Sequence, residues 1–570
     1  MKTHVFDYIK RHKLLWLVII PAFFFHLLTI FLSGNDYCYQ NKCGIFFWGS
    51  NAHDAIWHLA VTAVSFNELP FISPIFSGEK LFGYNYFLDL IIFLLSKVGI
   101  SSSIAYFKIL PLVWFALFTY AAVALGRKIK DSPLFIALLL FFFYFGGSFS
   151  YLLTLYHQQT IWGSSGILVM QSGLMMSNLQ FAFSLVILLY AILLILKKEI
   201  DLKKTFILSL LVFLSLGLKF YGGAVITFLT VIFFLESILS GKNLVKKFKY
   251  LSVFIFSAVV AVVVFYNPFS SFKTGSVLSF DPLATVHPII EEPGLVYLQN
   301  MVDARYFLET KGIGPRLIGI ELLTIFIFIL FNLGTRFFGF FYLAKQLIKN
   351  KISRMDVYLI LSMIFSAFLA MFFVQKGQWW NTIQFFYYTI FLSSFFAAKF
   401  LYEIMNKKNM LTISIGAIII ILTLPTSIDL LRGFSAYPAP SYVPAEEIQA
   451  LKFLKSQPEG TVFFPLNQNK EKSPDPQPLY AYEDNSYVAA FSGQKLYFAD
   501  IVQLQLTGVN YKERLNRIKE TDCSILEEIN YFYQIKPMAD RFFNSCYSID
   551  KFKKIYENDL INIYRIKHYD

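Results

Sequence analysis

Eleven apolar runs, each about long enough to cross a bilayer, leave this chain little choice of fold. At about 1.5 Å of rise per residue, a hydrocarbon core of about 30 Å needs about 20 residues of helix. Runs of roughly that length fall at about residues 14–33, 104–126, 133–156, 178–197, 204–220, 221–240, 250–267, 316–343, 356–375, 382–403 and 410–430. Lipid offers no partners for peptide groups, so such runs must satisfy their own hydrogen bonds as helices. The expectation is a polytopic α-helical membrane protein with about 11 transmembrane helices. Composition agrees: 56% of residues are hydrophobic and only 15% are charged, which excludes an ordinary soluble domain. The net charge of +13 does not point to nucleic acid, because the lysines and arginines sit in short clusters between apolar runs, where they orient helices.

One further run, 84–99, is short and carries Asp89. If it crossed fully, the clusters Arg127/Lys128/Lys130, Lys197/Lys198/Lys203/Lys204, Lys242/Lys246/Lys247/Lys249 and Lys345/Lys349/Lys351/Arg354 would all face outward. Read as an interfacial or re-entrant segment, with Asp89 marking its turn in the headgroups, it leaves every cluster inside, Lys407 and Lys408 included. The amino terminus is then cytoplasmic and the carboxyl terminus extracytoplasmic, with the first run retained and not cleaved as a signal peptide. The outer face collects the first loop 34–103, the loops 157–173 and 268–315, the turn around Lys219, and Trp379 with Trp380. Both tryptophans read as interfacial anchors, and the 65 Phe and 34 Tyr chiefly as lipid-facing and interfacial side chains.

Three regions follow. Residues 1–433 form the transmembrane domain, 434–444 a Pro-rich linker, and 445–570 a small extracytoplasmic α/β domain. In the last, 445–456 signals a helix, 461–464, 487–491 and 562–566 signal strands, and 467–478 a loose loop. All four cysteines fall on the outer side by this topology, where disulfides persist; Cys38 with Cys43 and Cys523 with Cys546 is the natural pairing. No His or second Cys stands at the close spacing of a zinc site.

The densest cluster of acid, imidazole and hydroxyl groups lies in 51–90. Asp54 and His58 stand four residues apart, so on a helix they share a face with Thr62 and Ser65, opposite Ile56, Leu59, Ala60, Ala63 and Val64. That pattern predicts an amphipathic helix on a membrane surface, its polar face turned to a ligand. Pro70, Pro74 and Gly78 then break it, and Tyr84 and Tyr86 lead into the short run.

An acid on a first-loop helix, a Pro- and Tyr-bearing stretch after it, many spans and an outer domain at the end together resemble the GT-C class of membrane glycosyltransferases. Within that class the likeness is to bacterial polyprenyl-phosphate-sugar-dependent members, similar to protein mannosyltransferases and aminoarabinose transferases. Asp54 in HDAIWH matches the first-loop acid, 70–86 the following stretch, and 218–222 the basic, Gly-containing turn between later spans. The resemblance implies transfer of a sugar from a polyprenyl-phosphate carrier, with inversion, to an acceptor hydroxyl on the outer face. It implies a lipid-linked donor, a glycan, lipid or protein acceptor, contact with membrane lipids, and no further cofactor.

Such a reaction needs a carboxylate base, and Asp54 is the candidate; as a first-turn acid it also suits the helix dipole without any catalysis. His58 would hydrogen-bond the sugar or orient Asp54. A fixed cation for the departing phosphate is sought in Lys219 and Arg305, with Lys80 behind them. Tyr84, Tyr86 and His157 complete the substrate-binding candidates. Asp54 lacks the neighbouring acid that oligosaccharide-transferring members use for a divalent metal, so a metal-independent, single-sugar transfer is expected. Glu291 and Glu292 are the acids that would supply a metal site through space. A non-enzymatic scaffold or carrier that binds lipid-linked glycan is the rival. A secondary transporter is disfavoured by nearly charge-free mid-spans.

Overall fold

Helices dominate wherever the apolar runs predicted them. The computed structural model describes residues 2–163, 168–169, 171–197, 199–241, 243–268, 278–375, 378–407, 409–465, 474–482, 485–538 and 541–568. Residues 467–473 of the expected loose loop, parts of the loops 157–173 and 268–315, and Lys198, Lys242 and Lys408 lie outside them. Among the described residues eight helices are long and apolar enough to cross a membrane, and ten spans result if each of two bent pairs counts as one. Eleven were expected; Leu202–Leu218, on one of the expected runs, has 17 residues and stands at the short end of the spanning range. The short run forms Phe87–Lys97, an 11-residue helix too short to cross.

Two compact units divide the chain. The first comprises Met1–His26, Val113–Val262 and Val277–Gly433. Its interior is built around Gln384–Met405, which is buried along most of its length against Pro133–Phe145, Gly339–Ile348 and Arg354–Phe372. Phe143 stacks on Phe391 with ring centroids 4.4 Å apart, and the Tyr388 hydroxyl meets Ser184 Oγ at 2.6 Å. Many aromatic side chains expected at the lipid boundary therefore fill the interior. The reason is packing: lipid is as apolar as the core, so helices associate through shape and interhelical hydrogen bonds, which large rings and their hydroxyls supply.

One bend in this unit falls beside a buried arginine. Pro133–Phe145 and Ser150–Gln158 meet at 52° across Gly146 and Gly147. The buried Arg336 guanidinium donates to the carbonyls of Phe142 (3.1 Å) and Gly146 (3.0 Å), to Gln171 Oε1 (3.2 Å) and to Ser394 Oγ (2.9 Å). It thus adds a donor to carbonyls at the end of the broken helix, where the dipole also favours a cation.

The second unit comprises Leu27–Leu112, Val263–Ser276 and Phe434–Asp570, so the first loop folds together with the tail. A four-stranded sheet joins them: Asn35–Tyr39 pairs antiparallel with Lys42–Phe47, which pairs antiparallel with Ser441–Pro444, which runs parallel to Gln477–Pro478. Ser441–Pro444, which the sequence placed in a linker, is thus a buried central strand. Gly44 is required opposite it, since a Cβ there would lie 2.0 Å from the Val443 carbonyl oxygen. Cys38 and Cys43 face each other in the hairpin and are bonded, as are Cys523 and Cys546.

A second sheet orders its strands Phe552–Glu557, Ile561–Ile566, Tyr531–Ile535, Thr461–Phe463 and Lys495–Leu496. The strand expected at 487–491 is instead the helix Tyr487–Ser492, ended by Gly493 at φ +69°. It lies along Asp54–Val64, a tertiary contact that outweighs the strand preference of its Tyr, Val and Phe.

Candidate functional site

Asp54 opens the helix Asp54–Val64, directly after the short helical turn Gly49–Ala52. Its side chain is 35% exposed, and it stands at the positive end of the helix dipole. The rest of the helix departs from the amphipathic expectation: His58, Thr62 and Ser65 are as buried as Ile56, Leu59 and Ala60. Tyr487–Ser492 and Phe87–Lys97 both pack on it, so no polar face is left for a membrane surface.

A buried histidine needs its polar atoms met, and here the first-loop stretch does so. His58 Nδ1 lies 2.9 and 3.1 Å from the two Asp89 oxygens, with both residues shut off from water. Its Nε2 lies 3.3 Å from the Tyr84 hydroxyl. With Nδ1 donating to the carboxylate, Nε2 is placed to accept from Tyr84, so the imidazole links the acid to the phenol. Burial and then the Asp89 charge push the Tyr84 hydroxyl well above the usual tyrosine range, which keeps it protonated as the donor. The ring of Tyr106 lies nearly parallel to His58, centroids 6.1 Å apart, and Trp57 meets Tyr84 edge-on at 5.3 Å. Asp89, which the sequence placed at a turn in the headgroups, is thus the buried anchor of this network.

On the other side of Asp54 stands His53. Its Nδ1 is 3.5 Å from Asp54 Oδ1 and its Nε2 is 3.8 Å from Asp500 Oδ1. Asp500 is buried and caps the helix Ile501–Thr507, accepting from the Gln503 N–H at 3.3 Å. The tail is tied to the first loop here by backbone bonds, Leu496 N to Pro74 O (2.9 Å) and Ala499 N to Ile75 O (3.0 Å), and by Asn485 Nδ2 to Ala52 O (3.3 Å). Sequence spacing carries no signal for Asp500; for Asp89, an ionisable group within an apolar run was such a signal.

The remaining candidates are dispersed. Tyr86 spends its hydroxyl on the Val264 carbonyl (3.1 Å), and Lys80 is exposed on the loop after Gly78. Lys219, His157 and Arg305 belong to the first unit. Lys219 sits in extended backbone at the break between Leu202–Leu218 and Phe220–Leu239, buried, with Nζ 5.8 Å from the Tyr221 ring. His157 Nε2 donates to the Leu295 carbonyl at 2.6 Å. Arg305 lines a cavity of about 760 Å³ with Trp379, and its guanidinium is matched there by Glu321 (2.9 Å), Glu291 (3.3 Å) and Glu309 (3.9 Å). No group of three or more His, Cys, Asp or Glu side chains among the described residues is arranged to hold a metal ion, and Glu291 is engaged by Arg305.

This fold, many apolar helices with an acid-headed helix in the first loop, has likenesses among solved structures. Among solved structures the chain is similar to the oligosaccharyltransferase AglB of Archaeoglobus fulgidus in complex with an inhibitory peptide and a dolichol-phosphate. That match has a TM-score of 0.50 and 12% identity, over 92% of this chain and 70% of that one. A second structure of the Archaeoglobus fulgidus oligosaccharyltransferase, with Zn and sulfate, matches at a TM-score of 0.49 and 13% identity, over 92% and 68%. No protein-family profile and no curated protein matches the sequence.

Proposed function

We propose that this chain is a membrane glycosyltransferase that moves a sugar from a polyprenyl-phosphate carrier to an acceptor hydroxyl on the outer face, with inversion. The observation that carries the proposal is Asp54: a carboxylate still partly open to solvent at the head of an otherwise buried helix, braced by His53 on one side. The AglB complex, which holds a dolichol-phosphate, supports a lipid-linked donor, and its inhibitory peptide makes a protein acceptor one of the classes to test.

As the acceptor oxygen attacks the anomeric carbon, its proton passes to Asp54, and the carbon–oxygen bond to the carrier phosphate breaks with its electron pair leaving on the phosphate. Tyr84, its one proton engaged by His58, offers lone pairs to a sugar hydroxyl. His58 and Asp89 therefore act through Tyr84 as positioning residues. Lys219 and Lys80 are the proposed cations for the departing phosphate. Arg305 drops from that role, since an incoming phosphate would have to displace carboxylates that already match it. Metal independence is part of the proposal, so no step is routed through a metal and transfer should persist in chelator.

The test is transfer of labelled sugar from a polyprenyl-phosphate pool by membranes carrying the native chain or Asp54→Asn. A well-folded Asp54→Asn chain should lose about 10² to 10⁴ in rate. Full activity in that variant would remove Asp54 as base, and no transfer by either chain across a broad donor set would favour the carrier reading.

A further inference from the structure

In the first unit residues of several helices and their flanking turns line a second, half-open cavity, of about 420 Å³. Four lysines line it, Lys128, Lys130, Lys351 and Lys399, against two acids, Asp356 and Glu403. Both acids are already taken. Asp356 pairs with Lys399 and closes the capping box with Ser353, whose Oγ lies 2.8 Å away. Glu403 pairs with Lys345 at 2.5 Å and accepts from Gln346 at 3.4 Å. Among the described residues, Lys128, Lys130 and Lys351 have no ion-pair partner, and Lys130 Nζ lies 5.3 Å from the centroid of the Tyr402 ring. Between the lysines the wall is apolar, with Phe135, Leu196 and Met355.

Lysines at helix ends are common simply because they orient spans, and a solvated cluster would need no cavity. This one differs in three respects: the exposed lysines line one half-open cavity, its acids are already paired, Asp356 with Lys399 and Glu403 with Lys345, and the wall between the lysines suits methylene groups. A cavity of this size lies within the range of sites that take small organic ligands. Basic pockets between spans, on the side that carries the lysine clusters, suit lipid headgroups.

We infer that this cavity binds the headgroup phosphate of an anionic membrane lipid, with Lys128, Lys130 and Lys351 holding the phosphate and Phe135, Leu196 and Met355 the first part of the chains. It is a site apart from the Asp54 network and does not depend on the glycosyl-transfer reading.

The test uses the purified full chain in phosphatidylcholine nanodiscs with and without phosphatidylglycerol. Phosphatidylglycerol retained on the chain is read by native mass spectrometry, and the unfolding temperature is read alongside. Phosphatidylglycerol should raise the native unfolding temperature and remain bound after detergent transfer. Lys128→Gln/Lys130→Gln/Lys351→Gln should weaken that retention by about a hundred-fold, at about five-fold per lysine. The corresponding triple arginine variant should keep it. So should a control with three exposed lysines outside the cavity replaced, Lys203→Gln/Lys246→Gln/Lys249→Gln. Equal losses in the cavity and control variants would overturn the site in favour of diffuse surface charge. Saturation by inorganic phosphate, with phosphatidylglycerol adding nothing, would overturn the lipid in favour of a soluble phosphate ligand.

Discussion

His58 and Asp89 come from two different helices, Asp54–Val64 and Phe87–Lys97, and meet at 2.9 Å with neither side chain open to water. The contact pins the short helix to the first-loop helix and sets the imidazole so that its other nitrogen holds Tyr84. Because the pair is dry, leaving one partner unmet costs far more than the bond itself contributes.

Asp89→Ala is therefore expected to destabilise the second unit by about 1–3 kcal/mol, through the unsatisfied His58 N–H, plus a small cavity term. Tyr84→Phe removes only the outer bond and should cost about 1 kcal/mol. Thermal unfolding of the detergent-purified chain measures both. An Asp89→Ala chain that melts with the native one would show that the pair holds nothing together.

Arg305 gives a prediction that separates two roles. A phosphate-binding arginine would, when removed, weaken donor binding and leave the fold alone. Here its guanidinium bonds Glu321 at 2.9 Å, while His287 Nε2 meets the other oxygen of Glu321 at 2.8 Å. Arg305→Ala leaves Glu321 and Glu291 facing each other's charge and should cost about 3 kcal/mol, the low end for a buried pair because both acids keep some water contact. Arg305→Ala/Glu321→Gln should recover part of that. A raised KM with an unchanged melting temperature would restore the phosphate-binding role.

How much of this was legible in the sequence varies with the physics behind each feature. The spans were legible because lipid imposes a length and a composition. The hairpin disulfide and the helix from Asp54 were legible because both are local. The burial of His58 was not: a period of four residues places Asp54 and His58 on one face but cannot say what covers that face, and the cover is Tyr487–Ser492, from the far end of the chain. The same distance hid Asp500 beside His53. Ser441–Pro444 read as a linker because its prolines signal a break, yet its strand partner, Lys42–Phe47, was only a cysteine-bearing loop until the fold joined them.

The two disulfides should not be equivalent. Cys38–Cys43 closes a sequence separation of 5, inside a hairpin whose ladder already holds the two strands, whereas Cys523–Cys546 closes a separation of 23. Chain entropy then makes loss of the second cost about 1 kcal/mol more than loss of the first. Paired Cys→Ser variants at each bridge, compared by denaturant midpoint, check this; equal losses would mean that the shorter loop is not held by its strands.

The last prediction concerns pH. Glu447 lies on the helix Ala445–Lys455, wholly buried, where it accepts from the Tyr487 hydroxyl and from the Tyr533 hydroxyl at 3.2 Å. Burial raises its carboxyl from the ordinary 4.5 to about 8, with the two tyrosine bonds pulling the other way. Between those values the folded chain holds a proton that the unfolded chain has lost, so stability falls as pH rises. The contribution is fully present below about pH 4.5 and gone above about pH 8. Within that window it declines by about 1.4 kcal/mol per pH unit. Glu447→Gln keeps an acceptor for Tyr487 and carries no charge, so its stability should lack this component. Unfolding midpoints of the native and Glu447→Gln chains should converge near pH 5 and separate in favour of the variant toward pH 8. Parallel curves across that range would mean that the carboxyl stays ionised in the folded tail, with its charge met by water reaching the Tyr487 and Tyr533 hydroxyls.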